Sequence, residues 1–98
     1  MKVVKIKDIE DCFDGTFIKE VFFDTKVSSG FIHYLGQKGQ LQYFPNFAKP
    51  FYKFIEYSGR YTIKGIQGNL SARIILSRKN VDNALREFND FVASYTKS

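Results

Sequence analysis

The sequence has few of the residues on which metal sites and enzyme active sites usually depend. Its 98 residues include one cysteine, Cys12, and one histidine, His33. A single cysteine excludes an intramolecular disulfide, and the Cys and His set of a structural zinc site is lacking. A phosphate-binding glycine loop and a nucleophile motif are lacking as well, which leaves the usual catalytic roles unfilled. We therefore favour a non-enzymatic protein without a cofactor or metal, in which His33 is a structural residue.

Long apolar runs are also lacking. No segment approaches the roughly 20 apolar residues that a membrane-spanning helix needs. The basic amino terminus, Met1–Asp8, has no apolar core of signal-peptide length. These absences predict a cytoplasmic protein without a membrane partner. The apolar content of 44% is nevertheless that of a globular protein, and a chain of this length is expected to bury one core in one domain, residues 1–98.

The net charge of +5 is unevenly distributed along the chain. Residues 25–81 carry nine lysines and arginines against Glu56, a net charge of +8, whereas residues 1–24 have a net charge of −2 and residues 82–98 of −1. A local excess of positive charge attracts polyanions and raises association rates. Four acidic residues are clustered from Asp8 to Asp14, but their spacing does not match a calcium loop, so we interpret the cluster as a solvated turn.

The segment from Leu41 to Ser77 predicts four short antiparallel strands, around which the rest of the chain is organised. Two turn candidates, Ser58-Gly59 and Gly68-Asn69, separate residues of strand type. The stretch 45–50 holds two prolines that cannot donate ladder hydrogen bonds, so it is predicted as a loop. Phe47 in this loop is expected to fold back over the core or, alternatively, to be an exposed aromatic residue that contacts a ligand. The predicted strands are 40–44, 51–57, 60–66 and 70–77.

Counting outward from the two turns predicts which residues face one another. Lys53 then lies opposite Lys64, and Lys64 lies opposite Arg73, so that three cations form a row on one face. Like charges directly opposite one another in a sheet are destabilising by roughly 0.2–1 kcal/mol per pair. We therefore expect either an anionic partner for this face or side chains that fan into water. The other face is a core surface, with Glu56 as its one misfit, and collects Tyr52, Phe54, Tyr61, Ile63, Ala72, Ile74 and Leu76.

The amino-terminal half predicts two strands and a short helix. Val3–Ile6 has the composition of an edge strand, and Thr16–Asp24 that of a second strand, with a helix as the alternative for the latter. The stretch Ser28-Ser29-Gly30 offers an N-cap for a helix over about 30–38, where apolar residues recur at helical spacing. Gly39 is expected to supply the left-handed residue that ends this helix.

The final segment predicts an amphipathic helix that begins after a capping Asn80. Its apolar residues recur at the period of one stripe, and the apolar face of the sheet needs such a cover. The stripe comprises Val81, Ala84, Leu85, Phe88, Phe91, Val92 and Tyr95. The predicted fold is therefore α+β with two layers: a curved antiparallel sheet with the short helix and the carboxy-terminal helix on one face, in the order β-β-α-β-β-β-β-α.

After the first strand, this order of elements is similar to the half-domain fold of the TATA-binding protein, which binds DNA on its uncovered sheet face. Its last five elements also resemble single-stranded-DNA-binding coactivator domains. The resemblance lies in topology alone and assigns no residue. It implies nucleic acid as a partner for the uncovered face.

Three functions remain open. The first is nucleic-acid binding, to single strands or to duplex, with cations on phosphates and a tyrosine as a stacking platform. The second is an interaction module in which the same face forms a homodimer or docks on an acidic protein. The third is a small-ligand carrier with a pocket between sheet and helices. The residues assigned to binding are Lys53, Lys64, Arg73, Arg60 and Tyr57, the last two expected beyond the row on the same face.

Overall fold

A computed structural model describes residues 1–11, 15–79 and 81–95, with Asp11 described by its backbone alone. Within these residues the chain forms six strands and two α-helices, in the predicted order β-β-α-β-β-β-β-α. The predictions for Cys12, Asp14 and the capping Asn80 lie outside the described residues. The elements are β1 (Val3–Asp11), β2 (Thr16–Phe23), α1 (Ser29–Leu35), β3 (Gly39–Phe44), β4 (Phe51–Glu56), β5 (Tyr61–Ile66), β6 (Ser71–Ser77) and α2 (Val81–Ala93).

The six strands form one open sheet in the order β1-β2-β6-β5-β4-β3, and every neighbouring pair is antiparallel. Both helices lie against the same face, because Phe31 of α1 and Phe88 of α2 each contact the ring of Phe23 in β2. The described helices leave the opposite face uncovered. The predicted two-layer α+β fold is confirmed.

The predicted register of the last three strands is also confirmed. Lys64 of β5 pairs with Lys53 of β4 on one side and with Arg73 of β6 on the other. Gly59 and Gly68 adopt φ angles of 71° and 91°, the left-handed region that favours glycine in tight turns. Each turn spans four residues between the strand ends rather than the predicted two. The wider turns leave the pairing along the strands unchanged.

β1 is longer than the predicted edge strand and takes up most of the acidic cluster. It runs to Asp11, so Asp8 and Glu10 lie on a strand, and the prediction of a solvated turn from Asp8 is wrong. Two register shifts bend this edge strand along its neighbour β2, which is confirmed as a strand rather than a helix. Asp8 lies opposite Lys19 and forms an ion pair with it. Opposite charges across a strand pair stabilise the pairing, which explains how an acidic stretch remains extended.

α1 begins at Ser29, close to the predicted start at about 30, and its N-cap is Ser28, the first residue of the predicted capping stretch, whose Oγ accepts the N–H of Phe31 at 3.2 Å. The prediction of a left-handed Gly39 is wrong. Its φ angle is 177°, which is extended backbone, and it is the first residue of β3. A Cβ at this position would lie 2.0 Å from the carbonyl oxygen of Ile55 in β4. Glycine is therefore required here by the close approach of two backbones and not by chirality.

The core lies between the two helices and the covered face of the sheet. Rings interlock there: the Phe88 centroid lies 5.6 Å from that of Tyr61 and 6.5 Å from that of Phe23. The predicted core surface of the sheet is buried throughout. The predicted stripe of α2 is confirmed, with Ala84, Phe88, Phe91 and Val92 buried and Val81, Leu85 and Tyr95 packed against them. Because side chains alternate along a strand, this burial turns the cation row outward.

Candidate nucleic-acid interface

The uncovered face of the sheet presents the row of three cations that the register predicts. Lys53, Lys64 and Arg73 come from the adjacent strands β4, β5 and β6, and backbone pairing sets them side by side. Lys64 and Arg73 are exposed, and Lys53 is half-buried. We call these three residues the cation row.

Polar and charged residues flank the cation row on both sides, out to the edges of the sheet. Gln42 of β3 lies opposite Lys53, and Glu20 of β2 lies opposite Arg73, followed by Lys7 of β1. Among the described residues, no member of the cation row forms an ion pair. The row contains two like-charged pairs, each of which opposes strand pairing by roughly 0.2–1 kcal/mol. The described part of the molecule therefore holds three neighbouring cations that form no ion pair there, although Glu20 lies opposite Arg73 at one end of the row.

A groove of about 500 Å³ runs beside the cation row. The three cations line it together with the apolar side chains of Phe44, Phe51 and Ile66. Glu20 and Ser71 line it towards β2 and are hydrogen-bonded to each other at 2.9 Å. The groove thus combines concentrated positive charge with an apolar wall.

Three phenylalanines form an exposed aromatic cluster at this wall. The rings of Phe44 and Phe51 stack with centroids 4.7 Å apart, and the ring of Phe47 lies 5.2 Å from Phe51. Phe47 is 57% exposed, so the prediction that it folds back over the core is wrong. Phe44 and Phe51 are a cross-strand pair. The adjacent pair, Tyr43 and Tyr52, points towards the core, and because side chains alternate along a strand, both phenylalanine rings lie on the uncovered face. Phe47, in the loop that joins β3 to β4, packs on both of these rings.

The sequence contained a signal for this aromatic cluster that we did not use. Phe44 and Phe51 flank the proline-containing loop directly, so closing the loop must bring them together. Phe47 lies between them in the chain. An exposed apolar pair on the same face as a row of cations indicates a binding surface rather than a face that only keeps charges in solvent.

The sequence predicted that Arg60 lies beyond the cation row on the uncovered face, and this prediction is wrong. Its Nε donates to Glu56 Oε1 at 3.2 Å, and its Nη2 forms an ion pair with Glu87 of α2. These two hydrogen-bonded carboxylates raise the pKa of the Arg60 guanidinium. The carboxylate of Glu56 is buried on the covered side and also accepts the N–H of Ser58 at 3.0 Å. Burial raises the pKa of Glu56, but the hydrogen bonds from Ser58 and Arg60 outweigh burial and lower it.

Tyr57 is also separated from the cation row. Its side chain is 76% exposed and lies in the turn after β4, where the strand has ended. It borders a cleft of about 780 Å³ that Glu87 and Phe91 of α2 also line, together with Arg60. The structure therefore brings together three of the five residues assigned to binding and sets the other two beside the helix layer.

Comparison of the chain with protein-family models, curated sequences and solved structures finds no match. The topological resemblance to the TATA-binding protein and to coactivator domains thus gains no support from solved structures. Neither described helix is long and apolar enough to cross a membrane. Within residues 1–11, 15–79 and 81–95, no three His, Cys, Asp or Glu side chains come together in a group that would hold a metal ion.

Proposed function

We propose that the protein is a non-enzymatic module that binds nucleic acid through the uncovered face of its sheet. Lys53, Lys64 and Arg73 contact phosphates in this proposal. The observation that carries it is the adjacency of three cations that lack an ion-pair partner among the described residues. Phosphate contacts from lysine and arginine supply most of the affinity in non-specific nucleic-acid binding. Arg60 has no part in the proposal because two carboxylates already hold its guanidinium.

The spacing of the cation row suits a phosphate backbone. Neighbouring strands lie about 4.8 Å apart, so three strands carry their cations over roughly 10 Å. Because lysine and arginine side chains are long and flexible, three cations over this length can contact up to three phosphates of one strand. A contact with about three phosphates gives weak, salt-dependent binding rather than tight recognition.

The two other functions have less support. In a symmetric dimer built on this face, each cation row would approach its own copy, which opposes a homodimer by charge repulsion. Buried rings such as Phe31, Phe54 and Phe88 fill the centre of the space between sheet and helices. A carried ligand would have to use the cleft of about 780 Å³ at its edge, where the guanidinium of Arg60 is already held by Glu56 and Glu87. Docking on an acidic protein uses the same charges as the proposed function and is separated from it by experiment. A cytoplasmic location and a one-domain organisation remain predictions.

The proposal is tested by titrating labelled single-stranded and duplex oligonucleotides at two salt concentrations. Contact with three phosphates predicts a slope of log K against log salt of about −2 for single strands. The double variant Lys64→Ser/Arg73→Ser should flatten this slope to about −0.7, since two counterions are no longer released. The matched control is Lys2→Ser/Lys26→Ser, which removes the same charge from exposed positions away from the groove and should keep the wild-type slope.

Two results would overturn this function. One is the absence of binding at about 50 mM salt and about 100 μM protein, conditions under which weak electrostatic binding is measurable. The other is equal binding by the Lys64→Ser/Arg73→Ser variant and the Lys2→Ser/Lys26→Ser control, because loss of affinity would then report net charge and not this face.

A further inference from the structure

We propose that the aromatic cluster of Phe44, Phe47 and Phe51 stacks against unpaired bases, so that the groove selects single-stranded nucleic acid over duplex. The inference rests on the proposed function and names its ligand class. The three rings are 40%, 57% and 39% exposed and are in contact with one another. A contiguous exposed apolar patch of this kind indicates a binding surface. No described element covers it.

The aromatic cluster and the cation row are close enough to contact one nucleotide together. The cross-strand pair of Phe44 and Phe51 lies on the same face as the pair of Gln42 and Lys53, two residues further along the strands. Two residues of a strand correspond to a rise of roughly 7 Å. In a nucleotide the phosphate and the base are joined through a single sugar. A strand whose phosphates follow the cation row can therefore turn its bases onto the neighbouring rings.

The charge of the groove and the flat shape of its aromatic side chains both favour single-stranded nucleic acid as the ligand. A phenylalanine ring offers a π-face, and every base has a π-face, so stacking tolerates any sequence. In a duplex the base faces are covered by their stacked neighbours, and only base edges are exposed in the grooves. The rings can therefore contribute to binding only where bases are unpaired. An acidic protein chain satisfies the cations but has no regular series of flat rings to fill the apolar wall.

Phe47 is the ring through which the inference is best tested. It has the largest exposed fraction of the three and lies in the loop between β3 and β4, so its replacement leaves the core intact. Phe47→Leu keeps an apolar side chain but removes the flat ring. Stacking predicts that this variant loses affinity for a single strand on the order of fivefold to a hundredfold. Its salt slope and its duplex binding should stay unchanged, because the cations are untouched.

A tryptophan at the same position provides a direct signal. The natural chain has no tryptophan, so the Phe47→Trp variant carries the only one, and a stacked base should quench its emission. The matched control is Tyr57→Trp, which puts the probe on an exposed side chain beside the helix layer and should not be quenched. Quenching of the Phe47→Trp variant by an oligothymidine strand but not by a duplex of equal length supports the inference.

The outcomes separate this inference from the function on which it rests. If Lys64→Ser/Arg73→Ser flattens the salt slope while Phe47→Leu changes neither single-strand nor duplex affinity, base stacking is overturned and nucleic-acid binding stands. Equal losses on single strand and duplex would also overturn it. If polyglutamate of matched length binds as tightly as the oligonucleotide, and Phe47→Leu weakens neither, the face is a docking site for acidic protein and both proposals fail.

Discussion

Two cations, one just before β5 and one within it, have opposite surroundings. At Arg60, just before the strand, the guanidinium is held by Glu56 and Glu87, so its charge is neutralised within the molecule. At Lys64, four residues on, the ammonium group lies between two further cations and has no ion-pair partner among the described residues. The covered side thus uses a cation for stability, whereas the uncovered side leaves cations available to a ligand. Residue type alone does not distinguish these uses; the side of the sheet does.

The largest expected effect is on stability, and it comes from the packing of α2 against the covered face of the sheet. Phe88→Ala should lower the free energy of unfolding by about 3–5 kcal/mol, because the ring is fully buried between Tyr61 and Phe23. For a chain of this size the melting temperature would fall by more than about 10 °C. Thermal melts measure this. The control is Phe47→Ala on the uncovered face, which should stay within about 0.5 kcal/mol of the wild type; equal shifts for the two variants would contradict the assignment of faces.

The next largest effect on stability is expected at Arg60, the cation that is paired within the molecule. Arg60→Ala removes the side-chain donor to the buried carboxylate of Glu56 and should cost about 1–2 kcal/mol. This is near or below the lower end of the range for charged hydrogen bonds, because 31% of the Arg60 side chain is exposed and solvent weakens the interaction. Urea denaturation at neutral pH measures it. Glu87→Gln breaks only the exposed end of the network and should cost less than Arg60→Ala. A larger loss for Glu87→Gln would mean that the pair on α2 is the main contact.

The same network predicts a pH dependence of stability. The pKa of Glu56 is lowered in the folded protein, because hydrogen bonds from Ser58 and Arg60 outweigh the effect of burial. A lowered folded pKa gives stability that is present above the unfolded pKa, about 4.3, and is lost as pH falls through the folded pKa. Unfolding free energy should therefore be level near pH 6 and decline below about pH 4. In the Glu56→Gln variant this decline should be shallower, and an unchanged decline would assign it to other carboxylates.

The smallest effect concerns the unpaired cations, and it has the opposite sign. Lys64→Gln removes both like-charged pairs of the cation row and should stabilise the protein by about 0.2–1 kcal/mol in total at low salt, since solvent weakens the repulsion between exposed charges. The matched control is Lys7→Gln, which removes a cation that lies opposite Glu20 and should be destabilising. Both effects should shrink at 1 M salt, where the Debye length is about 3 Å. Destabilisation by Lys64→Gln at low salt would contradict the view that the row costs stability.

The cation row could be predicted because it depends on local information. Two glycine-containing turns set the register of three consecutive strands, and alternation then set the faces. Arg60 was assigned to the wrong side because strand alternation was extended beyond the start of β5 into the turn, where it does not hold. Its two partners lie on the covered side: Glu56 is four residues away, and Glu87 belongs to a helix 27 residues away, a contact that no local pattern contains. Gly39 was misread for a similar reason. Its role depends on the backbone of Ile55, which only the assembled sheet brings within reach.

The strand order has a consequence for how the chain folds. The hairpins between β4, β5 and β6 join residues that are close in sequence, whereas β2 reaches β6 across most of the chain, with Thr16 opposite Ser77. Local pairings close shorter loops and form faster than distant ones. We expect the three-stranded meander to form first and the β1–β2 hairpin to dock onto β6 later. The surface that gathers the cations would then assemble before the sheet is complete, and transient opening of the β2–β6 seam would leave that surface intact.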